Sequence, residues 1–270
     1  AILHRLVGSE MCIRDSIATI PRSNSNDVNE AVLAADKARD NWSSLSLDER
    51  RKWLEKIANA LEARSEEIAK LESLDTGKPI KIARAVDASR SVANFRFFAE
   101  FSKDFHEQKF LMEDATNHVI FKPVGIAGLI TPWNLPLYLL SWKIAPAIVM
   151  GNTVVAKPSE LTPLTANLLA EVFDEVGLPA GVVNIVHGFG HETGQAIVSH
   201  PHVNLISFTG GTITGKKVAE TAAPMFKKLS LELGGKNATI VLDDVNLDSA
   251  IPEIARSGFL NQGQVCLCGS

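Results

Sequence analysis

Apolar positions fall into two regimes along this chain. From Asn24 to about Phe105 they recur every three or four residues, as helices require. Trp53, Ile57 and Leu61 lie four apart on one face, Ser46 and Glu49 stand before them at capping-box spacing, and Asn26 is placed to cap a helix running through Ala38. Gly77 and Pro79 punctuate the helix that follows. The stretch "SKDFHEQKFLMEDATNHVIFKP" then alternates loosely and predicts a strand or hairpin, an arm reaching outside the domain.

After Pro123 the pattern changes to short β-rich runs: "GIAGLIT", "NTVVAKP", "VVNIVHG", "NLISFTG" and "ATIVLDD". Helical stretches separate them at Pro136 to Met150, Pro163 to Val176, Thr193 to Ser199 and Gly215 to Ala223. Near-continuous Val/Ile runs joined by helices predict parallel strands covered on both faces, so the fold class is α/β, open and doubly wound. In such sheets ligands bind beyond the carboxyl ends of the strands, and the residues that follow each strand become the candidates.

Composition narrows the setting. With 270 residues, 46% of them hydrophobic, the chain can bury a sizeable core. Lys and Arg number 27 against 31 Asp and Glu, and a net charge of -4 gives no footprint for a phosphate backbone, so nucleic acid is not an expected partner. Three cysteines, Cys12, Cys266 and Cys268, make no disulfide framework and fit a reducing compartment, the cytoplasm by default. The longest apolar run, "LPLYLLSWKIAPAIVM", is broken by Lys143 and Pro146 and predicts a buried helix, with no membrane span. The opening "AILHRLVGSEMCIRDS" is a poor secretory signal; residues 1–16 are expected to be a foreign or artefactual leader.

The chemistry-bearing residues come in order after the strands. Thr131 to Pro136, "TPWNLP", holds Asn134 between two prolines, as a rigid amide donor or simply as a turn. Lys157 and Glu160 in "KPSE" can grip a sugar together or pair with each other in a loop. "HGFGHETG" carries glycines at the first two dinucleotide-fingerprint positions, the last one residue too late; His191-Glu192 lacks the second histidine of a zinc protease, Gln195 standing there, and no metal is expected. Thr209-Gly210-Gly211, with Gly215 in the next helix, lets a dinucleotide approach the backbone near a helix N-terminus. Glu232 lies in an apolar strand before Gly234, where desolvation raises a carboxyl pKa toward general-base use or a nearby lysine neutralises it. In "NQGQVCLC" a thiol is a nucleophile only where its thiolate is favoured.

Taken in this order, "TPWNLP", "KPSE", "FTGG…G", "LELGGK" and "NQGQVC" resemble the NAD(P)-dependent aldehyde dehydrogenase superfamily over residues 20–270, with 34 positions from Glu232 to Cys266. The resemblance implies a Rossmann-like cofactor domain at 17–101 and 123–234, an oligomerisation arm at 102–122, and from 235 to 270 the start of a second, α/β catalytic domain. It implies Cys266 as the nucleophile attacking an aldehyde, Asn134 and the Cys266 N–H as oxyanion donors, hydride passing to the nicotinamide, and Glu232 activating the water that hydrolyses the thioester. NAD is the implied cofactor, with Lys157 and Glu160 on the adenosine ribose, Ile130 and Trp133 beside the adenosine half, and Gly190, Gly194, Gly210, Gly211 and Gly234 lining its path. A carboxylate at Glu160 accepts from a 2′-OH and repels a 2′-phosphate, favouring NAD over NADP.

Three departures stand out. Gly211 replaces a frequent serine, His191 replaces a frequent proline, and the chain ends about halfway along the family pattern, before the Glu-x-Phe segment and the strand that joins subunits in the family's homo-oligomers. A fragment inactive alone is the expectation. "GGT-x-TG", "LSLELGGKNA" and "VCLC" most resemble the muconic semialdehyde dehydrogenases, which implies a semialdehyde substrate and a place in tryptophan or aromatic-ring catabolism. The competing readings are a CoA-acylating relative, which does not need Glu232, and a catalytically silent NAD-binding or structural protein.

Overall fold

The structure, a computed structural model, describes residues 2–6, 16–105 and 107–269. Of the leader expected at 1–16, residues 1 and 7–15, with Cys12 among them, lie outside the described residues. Strands β1 (Ile2–Leu6) and β2 (Ser16–Pro21) pair antiparallel. Helices α1 (Ser25–Ser44), α2 (Leu47–Ala63) and α3 (Ser65–Thr76) follow. The short α4 (Ile80–Ile82) leads through a π-helical turn, Ala83–Ala88, into α5 (Ser89–Phe101). Ser46 and Glu49 form the expected capping box, and Gly77 closes α3 with φ 76, a left-handed conformation that glycine adopts without steric cost. The first cap is corrected: Asn24, not Asn26, caps α1, its side chain accepting from the N–H of Asn26 while Asp27 returns a bond to the Asn24 N–H.

The polar stretch is a hairpin, β3 (Gln108–Leu111) against β4 (Thr116–Val119). Next come β5 (Ile126–Ile130), α6 (Pro136–Val149), β6 (Thr153–Lys157), α7 (Leu164–Glu175), β7 (Val183–Ile185) and α8 (Gln195–Ser199). The chain closes with β8 (Val203–Gly210), α9 (Thr212–Ala222), β9 (Lys228–Leu233) and α10 (Leu247–Phe259). Strands β5 to β9 make one parallel sheet in the order β7-β6-β5-β8-β9. The order reverses between β5 and β8, and their carboxyl ends therefore open a crevice at the centre of the sheet.

Alternation along β5 divides the core. Ala127 and Leu129 pack toward the helices of the α2, α5 and α6 side, whereas Ile126 and Ile130 join Val28 and Val32 of α1 with Ile197 of α8. Both faces are thus covered, and every residue of β5 and β6 is buried. The run "ATIVLDD" is the exception to the predicted strands. Residues 238–244 form no strand, Ile240 is 82% exposed, and the nearest ladder contact is a lone bridge from Asn237 to Gly269. An extended run holds as a strand only when a neighbouring strand takes its backbone groups, and among the described residues no strand pairs with 238–244, where Leu242 O accepts from the Val245 N–H at 3.3 Å in a local turn.

Gly128, central in β5, lets α8 approach the sheet: a Cβ there would lie 2.6 Å from Ile197 Cγ2 and 2.9 Å from Ile206 Cδ1. Gly128→Ala is expected to lower stability by about 1–3 kcal/mol through overpacking, read as a lower midpoint in thermal unfolding; an unchanged midpoint would show that α8 can move off the sheet freely.

Candidate active site

The loop after β5 starts beside β6, where the Thr131 N–H donates to Lys157 O at 3.2 Å. It ends at Pro136, whose fixed φ and missing N–H suit the first turn of α6. Between them, Asn134 Nδ2 donates to Gln264 O at 2.7 Å. Asn261 Nδ2 returns the contact, donating to Asn134 O at 3.1 Å and to Gln264 O at 3.4 Å. Asn261, Gln262 and Gly263 all carry positive φ, 52, 62 and 72, and this left-handed run turns the chain after α10 back over the β5 loop. Cys266 follows in an exposed turn, its carbonyl accepting from Asn237 Nδ2 at 2.7 Å. The thiol is therefore not core packing. Cys268 is partly buried beside it.

Glu232 sits at the carboxyl end of β9, in register with Thr209. The expected desolvation is corrected: the residue is exposed, because β9 is an edge strand whose positions are nearly all open to solvent. It shares a groove of about 300 Å³ with Trp142, Lys143, Ser207 and Ser230. Lys143 is buried and donates to Ser207 Oγ at 2.7 Å. Burial pushes its pKa down to about 8, and the charge of Glu232 opposes that fall. Asn134 and the 261–266 segment are thus brought together, whereas no hydrogen bond joins Glu232 to Cys266.

At the end of β6, Lys157 is 2% exposed, and its ammonium meets Pro158 O at 2.8 Å and Glu160 Oε2 at 3.0 Å. The pair foreseen as an alternative is present, but its cation is buried. Burial holds the Lys157 pKa down, with Glu160 acting against it. His187 next to it is pushed down to about 4 by burial and by the Lys157 charge, and its Nδ1 has no hydrogen-bond partner. A Cβ at Gly190, Gly211 or Gly234 would meet nothing within 4 Å, so these backbones face open space. Gly194 packs on Lys157, Gly210 on the Phe208 ring, and Gly211 precedes α9 without a side-chain cap. Ile130 is buried at the sheet end; Trp133 is 42% exposed.

His191 stacks on Phe189 at 5.4 Å, and Glu192 is engaged by Arg22, Nε to Oε2 2.7 Å. No group of three His, Cys, Asp or Glu that could hold a metal occurs among the described residues, and no helix among them is long and apolar enough to cross a membrane.

Sequence reading missed four residues around Asn134. Lys78 Nζ contacts the Asp87 oxygens at 2.9 and 2.8 Å and Asn134 O at 3.3 Å. Glu72 Oε1 accepts from the Leu137 N–H at 3.0 Å and from Thr165 Oγ1 at 2.8 Å. One cation here faces two buried carboxylates. Asp87 takes the ammonium, and the Glu72 carboxyl is pushed up to about 7, by burial first and the Asp87 charge second. The fourth is Asn261, already described.

The aldehyde dehydrogenase family profile matches residues 12–270. The 2-aminomuconic semialdehyde dehydrogenase of Homo sapiens is 51% identical over 253 residues, which is 93% of this chain and 52% of that protein. The 2-hydroxymuconic semialdehyde dehydrogenase of Pseudomonas sp. (strain CF600) is 46% identical over 258 residues, 93% of this chain and 53% of that protein. The NAD+ complex of aldehyde dehydrogenase from Bacillus cereus superposes with a TM-score of 0.93 at 40% identity, over 95% of this chain and 53% of that one. The chain spans about half the length of the curated relatives it matches.

His187 supplies a pH test. Its pKa is 6.5 unfolded and about 4 folded, so the unfolded state binds the proton first as pH falls. Its contribution is complete above about pH 6.5 and is lost toward pH 4, by at most about 3 kcal/mol. Urea unfolding across that range should show a flatter acid slope for His187→Leu than for the parent; equal slopes would mean that His187 is protonated in the fold.

Proposed function

The chain belongs to the aldehyde dehydrogenase family, and on that premise we propose that the protein containing it oxidises an aldehyde, a muconic semialdehyde by its likeness to the 2-aminomuconic and 2-hydroxymuconic enzymes, to the carboxylic acid with NAD. The observation that carries this reading is the 2.7 Å bond between Asn134 Nδ2 and Gln264 O, which seats the Cys266 segment against the loop after β5. An amide donor and a thiol then lie two residues apart across one loop contact, at the sheet crevice where ligands bind.

In this mechanism the Cys266 thiolate attacks the aldehyde carbon. The oxyanion of the resulting thiohemiacetal is stabilised by the Asn134 amide and the Cys266 N–H, donors aimed in advance at charge that develops during attack. For this, Asn134 exchanges the Gln264 carbonyl for the substrate oxygen. When bound, NAD would supply the hydride acceptor for the thiohemiacetal carbon, leaving a thioester on Cys266. Glu232 then takes a proton from the water that hydrolyses the Cys266 thioester. Its exposure suits access to water, and buried Lys143 in the same groove supplies a partner whose charge state changes near pH 8.

The residues at the strand ends fit the dinucleotide. Lys157 and Glu160 would hold the adenosine ribose, already paired with each other at 3.0 Å. The remaining Glu160 oxygen accepts a 2′-OH and repels a 2′-phosphate, which supports NAD over NADP. Open backbone at Gly190, Gly211 and Gly234 admits the nucleotide, and the uncapped start of α9 suits its negative charge. Ile130, Trp133, Gly194 and Gly210 complete the walls. In this reading 17–101 and 123–234 form the cofactor domain, 102–122 an arm between subunits of a homo-oligomer, and 235–270 the beginning of the catalytic domain.

In the complete protein, Cys266→Ser should abolish NADH production from a semialdehyde. Glu232→Gln should retain a rapid burst of NADH and slow the turnover after it. Undiminished turnover in Cys266→Ser would remove the nucleophile assignment, and loss of the burst in Glu232→Gln would contradict a role confined to hydrolysis.

A further inference from the structure

The backbone carbonyl of Asn134 is gripped as firmly as its side chain is aimed. Lys78 Nζ reaches that oxygen at 3.3 Å and Asn261 Nδ2 at 3.1 Å. Lys78 is 2% exposed and comes from the turn after α3, 56 positions earlier in the chain. Its ammonium is fixed by both Asp87 oxygens, at 2.9 and 2.8 Å. Three residues beyond Asn134, the Leu137 N–H is fixed by Glu72 Oε1 at 3.0 Å. The loop is therefore pinned at the Asn134 carbonyl and again three residues on by groups rooted in one buried ionic cluster.

Stability does not account for this cluster. Two charges taken out of water cost much of what their attraction returns, and apolar residues of similar volume often serve the fold as well. What the ion pair adds is direction: an ammonium held by both Asp87 oxygens, with Glu72 Oε2 at 3.9 Å, is presented to the Asn134 carbonyl at 3.3 Å. Rotation of the Asn134 peptide is then restricted, and with it the direction of the side-chain amide. We propose that Lys78, anchored by Asp87, is a positioning residue that sets the Asn134 amide for the oxyanion. The proposal rests on Asn134 being the oxyanion donor, as in the proposed function.

A double-mutant cycle in the complete protein tests it, using Asn134→Ala, Lys78→Met and the combination, with kcat, aldehyde KM and NAD affinity measured for each. Asn134→Ala should lower kcat by about 100- to 1,000-fold, the size seen for a single oxyanion donor. Lys78→Met should lower kcat by about 10- to 100-fold, as misplacement of a reacting group by about 1 Å does, with KM and NAD affinity within about threefold of the parent. In the Asn134→Ala background, Lys78→Met should change kcat by less than about threefold, since the group it positions is gone. An equal loss in both backgrounds, or a parental kcat in Lys78→Met, would overturn the positioning role while leaving the oxyanion reading intact. A parental kcat in Asn134→Ala would instead remove the oxyanion reading, and the inference with it. If Lys78→Met does not fold, Lys78→Met/Asp87→Leu, which removes both members of the ion pair, goes through the same cycle with the same outcomes deciding.

Discussion

One peptide carbonyl and one side-chain amide, both of Asn134, tie the sheet to the segment that carries the thiol. The amide donates to Gln264 O at 2.7 Å, and the carbonyl accepts from Asn261 and Lys78. Without that exchange the residues beyond α10 would have little to hold them over the strand ends. Positions 238–244 form no strand, and α10 contains no buried residue. The parallel sheet supplies the fixed side of the contact. Its order reverses between β5 and β8, and Asn134 stands just past the end of β5, at that reversal.

The contact is made against opposing costs. Asn261 and Gln262 adopt left-handed backbone at φ 52 and 62, which costs about 1–2 kcal/mol for Gln262 and less for Asn261, a residue type that visits this region more readily. Two carboxylates and a lysine are buried behind the β5 loop, with Glu72 raised toward neutrality by burial first and by the Asp87 charge second, against the pull of Lys78 at 3.9 Å. Such costs persist where the surrounding structure over-determines a geometry, and they cluster where geometry is used. Here the left-handed backbone lies in the segment that contacts Asn134, and the buried charges lie directly behind the Asn134 carbonyl.

Much of the fold was legible because local and global signals agree. The Val/Ile runs at 126–130 and 153–157 are buried on both faces, so their strand character needed no knowledge of neighbours. "ATIVLDD" has the same composition, but a strand also needs a partner, which composition does not specify. The Asn24 and Asn26 caps differ by two positions of the same residue type, and only backbone geometry separates them. In "LSLEL" apolar and polar residues alternate whether the strand is central or at an edge; its edge position is what leaves Glu232 exposed. The motif residues after the strands were readable because each interrupts a regular pattern at a strand end. Lys78 and Asp87 were not. Nine positions apart across a turn, they carry no periodicity, and a charged residue in sequence reads as surface until the fold shows it inside.

The central claim is that the sulfur delivered by this loop contact is the one that carries the substrate. Acid quenching of the complete protein during turnover with NAD and a semialdehyde, followed by peptide mass spectrometry, measures that directly. The account predicts the acyl mass on Cys266 as a thioester, absent when NAD is withheld. An acyl group on Cys268 instead, or none on either thiol while NADH accumulates, would contradict it.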